Sequence, residues 1–484
     1  MTRTAFLLPA AALLLLAAAA CTSFDPARVR TDHTSALRAD LSARLDAIPD
    51  RPLSLDDCLR IAVSNNYAAR RADLDLELAR LGKNVAFTAF LPQVALSSGY
   101  TSRDYANIMG ATTAGDFVTG PKRDSSTSLT AALPVFMPAT WFLYAAARHG
   151  YAAANVAAAY TRQNIVLQTT AAYCDVLVQL DTIAALETQL DAAQRLADRL
   201  SGLADEGLVA SWEEEQANLQ LLARQTELDS ARRRLSLLRA TLLQTLGLPP
   251  DAPIELSGDT GESRLPEGTL EDLVLLALET HPQLLLADRQ VVMKEHAVRQ
   301  AFCAFLPTLT LSATHVWGGE DLAFDAVGWM TGFSAAWQVF TGCANLARYR
   351  AAKVERAQTD LERENTFLSV IVSVISARNA LEDARNAVAL RKKAFDVLSA
   401  KADDFSSRAE EGLLPLHEAL DARAERDLAQ VELVRSRCLE RVAAANLELA
   451  LGITPVPDPE APASSETPSQ ESQEEPAPSP EPAA

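Results

Sequence analysis

Six histidines and six cysteines are the residues here best suited to catalysis or metal binding, and their spacing points away from both. There is no His-Glu-x-x-His pair to hold a catalytic zinc and no Gly-Lys-Ser/Thr to cradle a phosphate, so no convergent catalytic set can be drawn. His417 next to Glu418 would suit proton transfer only with a third group nearby, and a single helix histidine reads as surface. The run Glu213-Glu214-Glu215 reads as a solvated helix face. Cys58, Cys174, Cys303, Cys343 and Cys438 are odd in number, widely spaced and without Cys-x-x-Cys, which argues against a disulfide framework or a zinc site. Cys58 and Cys438 replace apolar residues on helical stripes and read as small core hydrophobes. The expectation is a non-enzyme with no cofactor and no metal.

Cys21 is different. Arg3, an apolar run from Ala5 and the small residues Ala17-Ala18-Ala19-Ala20 lead into it, as in a lipoprotein signal whose cysteine is acylated after cleavage, although Ala18 stands where leucine is commonest. An ordinary secretory signal is the alternative. Thr22 follows rather than aspartate, which in bacterial lipoprotein sorting implies the outer membrane. The net charge of −19 argues against a nucleic-acid partner, since binding phosphates needs a basic face.

The elements that would position any site come in two copies. Residues 53–100 align without a gap on 268–315, most clearly as Ala86-Phe87-x-Ala89-Phe90-Leu91-Pro92 on Ala301-Phe302-x-Ala304-Phe305-Leu306-Pro307. Glu206-Gly207-Leu208 to Leu246-Gly247-Leu248 aligns likewise on Glu411-Gly412-Leu413 to Leu451-Gly452-Ile453. Ser54-Leu55-Asp56-Asp57 and Thr269-Leu270-Glu271-Asp272 read as capping boxes opening short helices, which break near Asn65-Asn66 and at His281-Pro282. A second helix then runs to each Phe-Leu-Pro, where Pro92 and Pro307 cannot continue it and turn the chain into a strand.

After Pro307 the residues alternate, with Thr308, Thr310, Ser312 and Thr314 on one side and Leu309, Leu311, Ala313, His315 and Trp317 on the other. The partner segment Trp329–Val339 does the same. Residues 94–102 and 126–136 are the corresponding strands of the first copy, and 103–125 and 318–328 are polar closing loops. Half-buried soluble hairpins and strands crossing a bilayer share this pattern. The following stretches decide between them. From Ala139 to Gln244 there is no proline, and Cys343–Leu414 has neither proline nor any glycine but Gly412. Ile183, Leu186, Leu190 and Ala193, then Leu228, Ala231, Leu235, Leu238 and Leu242, recur at coiled-coil steps. A helix of ~65 residues rises ~100 Å, so these are struts that turn back near Gly207 and Gly412.

Past the signal no apolar run reaches the ~18 residues of a membrane helix, so any crossing must use strands. Four strands cannot close a barrel alone, so several chains must share one. The chain therefore divides into a signal (1–20), an extended tether (21–52), a first repeat (53–248), a Pro/Gly/Asp-rich connector (249–267), a second repeat (268–453) and a Pro/Glu/Ser-rich tail (454–484). That tail carries seven acids and no base from Pro455 onward and is too poor in apolar residues to order itself.

This order of elements, with Phe-Leu-Pro entering a strand, Pro134-Val135-Phe136 leaving one and Gly207-Leu208-Val209 or Gly412-Leu413-Leu414 at the helical turns, resembles the TolC-like outer membrane efflux family, nearest its lipidated OprM-type branch. The resemblance implies a mainly helical, internally duplicated chain that forms a homotrimer. Its parts would be a twelve-stranded β-barrel in the outer membrane and a coiled-coil α-helical barrel in the periplasm. It also implies turns that dock a periplasmic adaptor bound to an inner-membrane pump, of RND or ABC type, in efflux or type I secretion. The family places an acidic pair after the second turn, at the narrowest point of the tunnel, and the matching positions are Glu418 and Asp421. Leu414 stands where some members carry a basic lock. Without the resemblance, a coiled-coil periplasmic lipoprotein that tethers and has no pore would use the same anchor and long helices, but would not need four amphipathic strands.

Overall fold

The computed structural model describes residues 25–457, apart from 47, 50, 103, 105–106, 113–114, 121–122, 262–264, 267 and 318–327. The signal, Cys21, the acidic tail and most of the 318–328 loop lie outside the described residues.

The duplication is visible in element lengths. After an N-terminal helix α1 (Pro26–Asp46), the first copy runs α2 (Leu55–Asn65), α3 (Tyr67–Thr88), β1 (Gln93–Ser102), β4 (Arg123–Phe136), α4 (Pro138–Asp205) and α5 (Ser211–Leu246), with a small ribbon of β2 (Asn107–Thr112) and β3 (Gly115–Gly120) between β1 and β4. The second copy runs α6 (Leu270–Thr280), α7 (Pro282–Cys303), β5 (Thr308–Trp317), β6 (Gly328–Ala336), α8 (Ala344–Glu410) and α9 (Leu416–Leu451). The paired helices have 11 and 11, 22 and 22, 68 and 67, and 36 and 36 residues. At 1.5 Å per residue the two long helices are each ~100 Å.

Local chemistry sets the boundaries. Ser54 and Thr269 each accept from the backbone N–H of Asp57 or Asp272, whose carboxylate accepts back from the cap N–H. Asn66 Oδ1 accepts from Ala68 N at 2.7 Å, and His281 Nδ1 caps α7 by accepting from Gln283 N at 3.2 Å. The long helices end in Schellman turns. Gly207 (φ +73°) donates to the Ala204 carbonyl and Leu208 to Leu203, and Gly412 (φ +73°) and Leu413 repeat this with Ala409 and Arg408.

Two apolar clusters lie partway along the struts. One joins Leu55, Leu59 and Ala62 of α2 to Ile165, Tyr173 and Val176 of α4 and to Leu242, Leu243 and Leu246 of α5. The other joins Leu273 and Ala277 of α6 to Val370, Val374 and Leu381 of α8 and to Leu447 and Leu451 of α9. Each fully buried leucine contributes about 1.5–3 kcal/mol. The coiled-coil spacing read from Ile183 and Leu228 is the seam of α4 against α5, where Ile183, Leu228 and Ala231 are buried together.

Two readings are corrected in detail. The segment read as an extended tether contains α1, a 21-residue helix with no buried side chain. Its last turn is pinned, because Arg44 donates to the carbonyls of Asn65 and Gly247 and covers the Tyr67 ring. The region read as a polar loop at 103–125 contributes the β2–β3 ribbon and a β4 that begins three residues early, because β-branched and small residues around the glycines allow pairing there. The connector also packs against the first repeat. Leu53 bridges Leu256 in parallel, and Ile254 is part of the first core.

Candidate functional site

The four long strands form one antiparallel sheet ordered β1-β4-β5-β6. Pairing of Val94 with Ala131, Leu96 with Leu129, Leu133 with Leu311 and Leu311 with Phe333 lays one apolar face across all four strands. The opposite face carries small polar side chains. There Ser97 and Ser128 hydroxyls lie 2.8 Å apart, and those of Thr130 and Thr314 3.2 Å. A register shift after Pro134, which is still opposite Thr310, leaves Val135 without a partner and returns Phe136 to the apolar face opposite Leu309. Strands of about ten residues tilted by ~45° span a bilayer core. Both β1 and β6 keep one edge without a partner among the described strands.

At one end of the sheet Trp317 and Trp329 flank His315, at ring separations of 4.3 and 4.9 Å. At the other, each helix-to-strand entry is clamped by aromatics. Before Pro92, Phe90 packs edge-on to Trp141 at 4.9 Å and on Tyr144 at 6.1 Å; before Pro307, Phe305 packs on Tyr349 at 6.3 Å. Trp337 Nε1 donates to the Phe305 carbonyl at 3.0 Å. The repeat located Phe90 and Phe305, but their partners Trp141, Tyr144 and Tyr349 sit on the far side of the strands and were missed. Their shared offset of 205 for the two tyrosines was the available signal.

The helical turns lie at the far end of the struts. Glu418 and Asp421 sit on the first two turns of α9, both exposed, and neither makes an ion pair or a side-chain hydrogen bond among the described residues. Ala419 and Ala422 between and beside them are 3% and 2% exposed, so the acids flank the helix face that is packed. The α8–α9 hairpin is held by Lys401 with Glu425 at 2.6 Å and by Arg423 Nε donating to Ser406 Oγ at 3.0 Å. The first turn is held by Ser201 Oγ donating to Glu214 at 2.8 Å, which assigns one of the three consecutive glutamates to structure. Leu208 and Leu413 are exposed on the turns, with Gly207, Val209, Gly412 and Leu414 beside them. Arg195 and Arg199 of α4 line a 220 Å³ cleft with Pro415, His417 and Leu420, so the second turn lies against the end of α4 near two cations that sequence spacing did not reveal.

Among the described residues, no group of three or more His, Cys, Asp and Glu is placed to hold a metal. His149 and His296 stack at 5.5 Å between α4 and α7; burial, then each neighbouring cation, holds His149 below its usual range. No helix among the described residues is long and apolar enough to cross a membrane.

Comparison with known proteins matches residues 59–248 and 273–453 to the family model described as outer membrane efflux protein. The chain is 23% identical over 410 residues to outer membrane protein TolC of Escherichia coli strain K12, covering 80% of each. Its fold is similar to the Campylobacter jejuni CmeC outer membrane channel, with a TM-score of 0.67 and 16% identity over 82% of this chain and 85% of that one. It is also similar to the outer membrane protein VceC of Vibrio cholerae, with a TM-score of 0.66 and 18% identity over 82% and 96%.

Proposed function

Because the chain belongs to the outer membrane efflux protein family, we propose that it is the passive exit duct of a tripartite efflux or type I secretion system, assembled from three copies. The observation that carries this reading is the four-stranded sheet. It has one apolar and one small polar face and two open edges, and it stands on helical hairpins ~100 Å long. In a bilayer, unpaired strand edges must be satisfied. Pairing β6 of one copy with β1 of the next in three copies closes a twelve-stranded barrel, apolar towards lipid and polar towards its lumen. The same rotation brings the long helices together as a periplasmic tube.

At the end of that tube the turns Gly207-Leu208-Val209 and Gly412-Leu413-Leu414 present exposed leucines to a periplasmic adaptor, which in turn reaches an inner-membrane pump. Glu418 and Asp421, without side-chain partners among the described residues, ring the aperture in three copies and concentrate cations there. Residues 1–20 act as the export signal and acylation of Cys21 adds a lipid anchor. Residues 53–248 and 268–453 are the two working repeats. The tethering lipoprotein without a pore has no use for an amphipathic sheet of this register.

Unboiled outer-membrane extracts should show a heat-sensitive band of three chains on a gel, and amine cross-linking should stop at the trimer. A chain that runs as a monomer under both treatments would remove the barrel and the duct together.

A further inference from the structure

The buried thiols Cys174 and Cys438 meet where the two repeats touch. Cys174 lies on α4 of the first repeat and Cys438 on α9 of the second, and both belong to the same apolar cluster and are almost wholly removed from solvent. Both line one cleft of about 620 Å³ between α4, α5 and α9, with Asp175, Arg234 and Arg435 on its walls. Cys58 shares the apolar cluster but lines no part of this cleft. Repetition does not require a cysteine at 438, since the aligned position of the first repeat is Arg233, which is exposed. The odd cysteine count and wide spacing hid the pairing, because 264 positions separate the two residues.

We propose that Cys174 and Cys438 form an intramolecular disulfide in the exported protein, a covalent tie between the first and second repeats. The proposal rests on the outer membrane reading, because disulfides persist in extracytoplasmic compartments and rarely inside the cell. Both thiols are free in the structure and close enough for each to shift the other's ionisation. Contact with Cys438 and, after it, burial push Cys174 above the ordinary thiol range. The exchange can open from Cys438. Its thiolate attacks the reactive disulfide of a thiol–disulfide oxidase, forming a mixed disulfide and releasing one oxidase thiolate. Cys174, losing its proton, then attacks the Cys438 sulfur and expels the second oxidase thiolate. The protein loses two hydrogens and the oxidase disulfide is reduced to a dithiol. Because both sulfurs are buried, the exchange takes place while α4 and α9 are still docking.

The test is mass spectrometry of the full-length protein from membranes, acid-quenched, denatured without reductant, alkylated with iodoacetamide and digested. The expected result is one linked peptide containing Cys174 and Cys438, two hydrogens lighter than its parts, with Cys58, Cys303 and Cys343 alkylated. On a non-reducing gel the wild-type chain should migrate faster than its reduced form, and Cys174→Ser or Cys438→Ala should each abolish the difference. Alkylation of both Cys174 and Cys438 in membrane-fraction protein would overturn the disulfide and leave the outer membrane reading standing. A linkage through Cys58 would overturn the pairing. Recovery of the chain from the cytosol with every thiol free would overturn the location and the disulfide with it. The wild-type readout stands even where a variant fails to fold.

Discussion

Leu311→Lys is the substitution for which the sheet makes its most quantitative demand. Leu311 is the fourth of ten residues in β5, about one and a half residues from the strand centre, or ~5 Å along the strand at 3.3 Å per residue. With a tilt of ~45° that is ~4 Å from the midplane, where a lysine on the lipid face costs ~2–4 kcal/mol. Its cross-strand neighbours Leu133 and Phe333 are apolar and offer no counter-charge. Three copies in one barrel lie far enough apart to add, giving ~6–12 kcal/mol per trimer. Phe333→Lys, at the same depth, should cost the same. Ser312→Lys, one residue along, points into the lumen beside the polar face and should leave assembly intact while changing conductance. The assay is the fraction of chain in the heat-sensitive trimer and its urea midpoint in outer-membrane extracts. Equal loss of trimer from Leu311→Lys and Ser312→Lys would refute the two-faced reading of the sheet.

Three further outcomes are expected. Glu418→Gln with Asp421→Asn should weaken cation selectivity and block by multivalent cations in single-channel recordings while the trimer persists, and either single change should do less; wild-type behaviour in the double variant would make these acids plain surface. Gly247→Ala should destabilise far more than Gly207→Ala at nearly the same φ. An added Cβ at Gly247 comes within 2.5 Å of the Asn65 carbonyl oxygen, whereas at Gly207 nothing lies within 4 Å. The left-handed conformation costs ~1–2 kcal/mol at both and displacement adds ~1–3 at Gly247, so thermal midpoints that match would count against the α2–α3 corner. Asp57→Asn should lower stability at pH 7 by ~1–3 kcal/mol. Burial alone would raise the Asp57 carboxyl, but hydrogen bonds from Ser54 and the cations Arg51 and Arg60 bring it below its usual 3.8. A depressed carboxylate stabilises above its unfolded value and loses that contribution as pH falls through its folded one. The gap between wild type and variant should therefore close below pH 4 in thermal unfolding, and a gap independent of pH would mean that its charge is not the cause.

Much of the architecture was legible because the chain states it twice. Ser54 and Thr269, Pro92 and Pro307, and Gly207 and Gly412 each mark a boundary by chemistry that acts within a few residues, and the structure places elements of matching length between them. Strand alternation was legible for the same reason, since period two needs no partner to be seen. What stayed hidden depends on contacts distant in sequence. Arg44 orders the end of α1 only because the carbonyls of Asn65 and Gly247 come together. Arg195 and Arg199 reach the second turn only once α4 lies along α9. Glu418 and Asp421 came from family position, because what they face lies on other copies of the chain, and one copy shows them exposed and without a partner among the described residues.

The claim that three copies of this chain make an open path across the outer membrane is tested most directly by single-channel recording of the purified wild-type trimer in a planar lipid bilayer across a salt gradient. The account predicts discrete current steps that disappear when the trimer is dissociated by heat before addition, with a reversal potential on the cation-selective side. Trimer that inserts into the bilayer and passes no current, or steps that survive dissociation to the single chain, would contradict it.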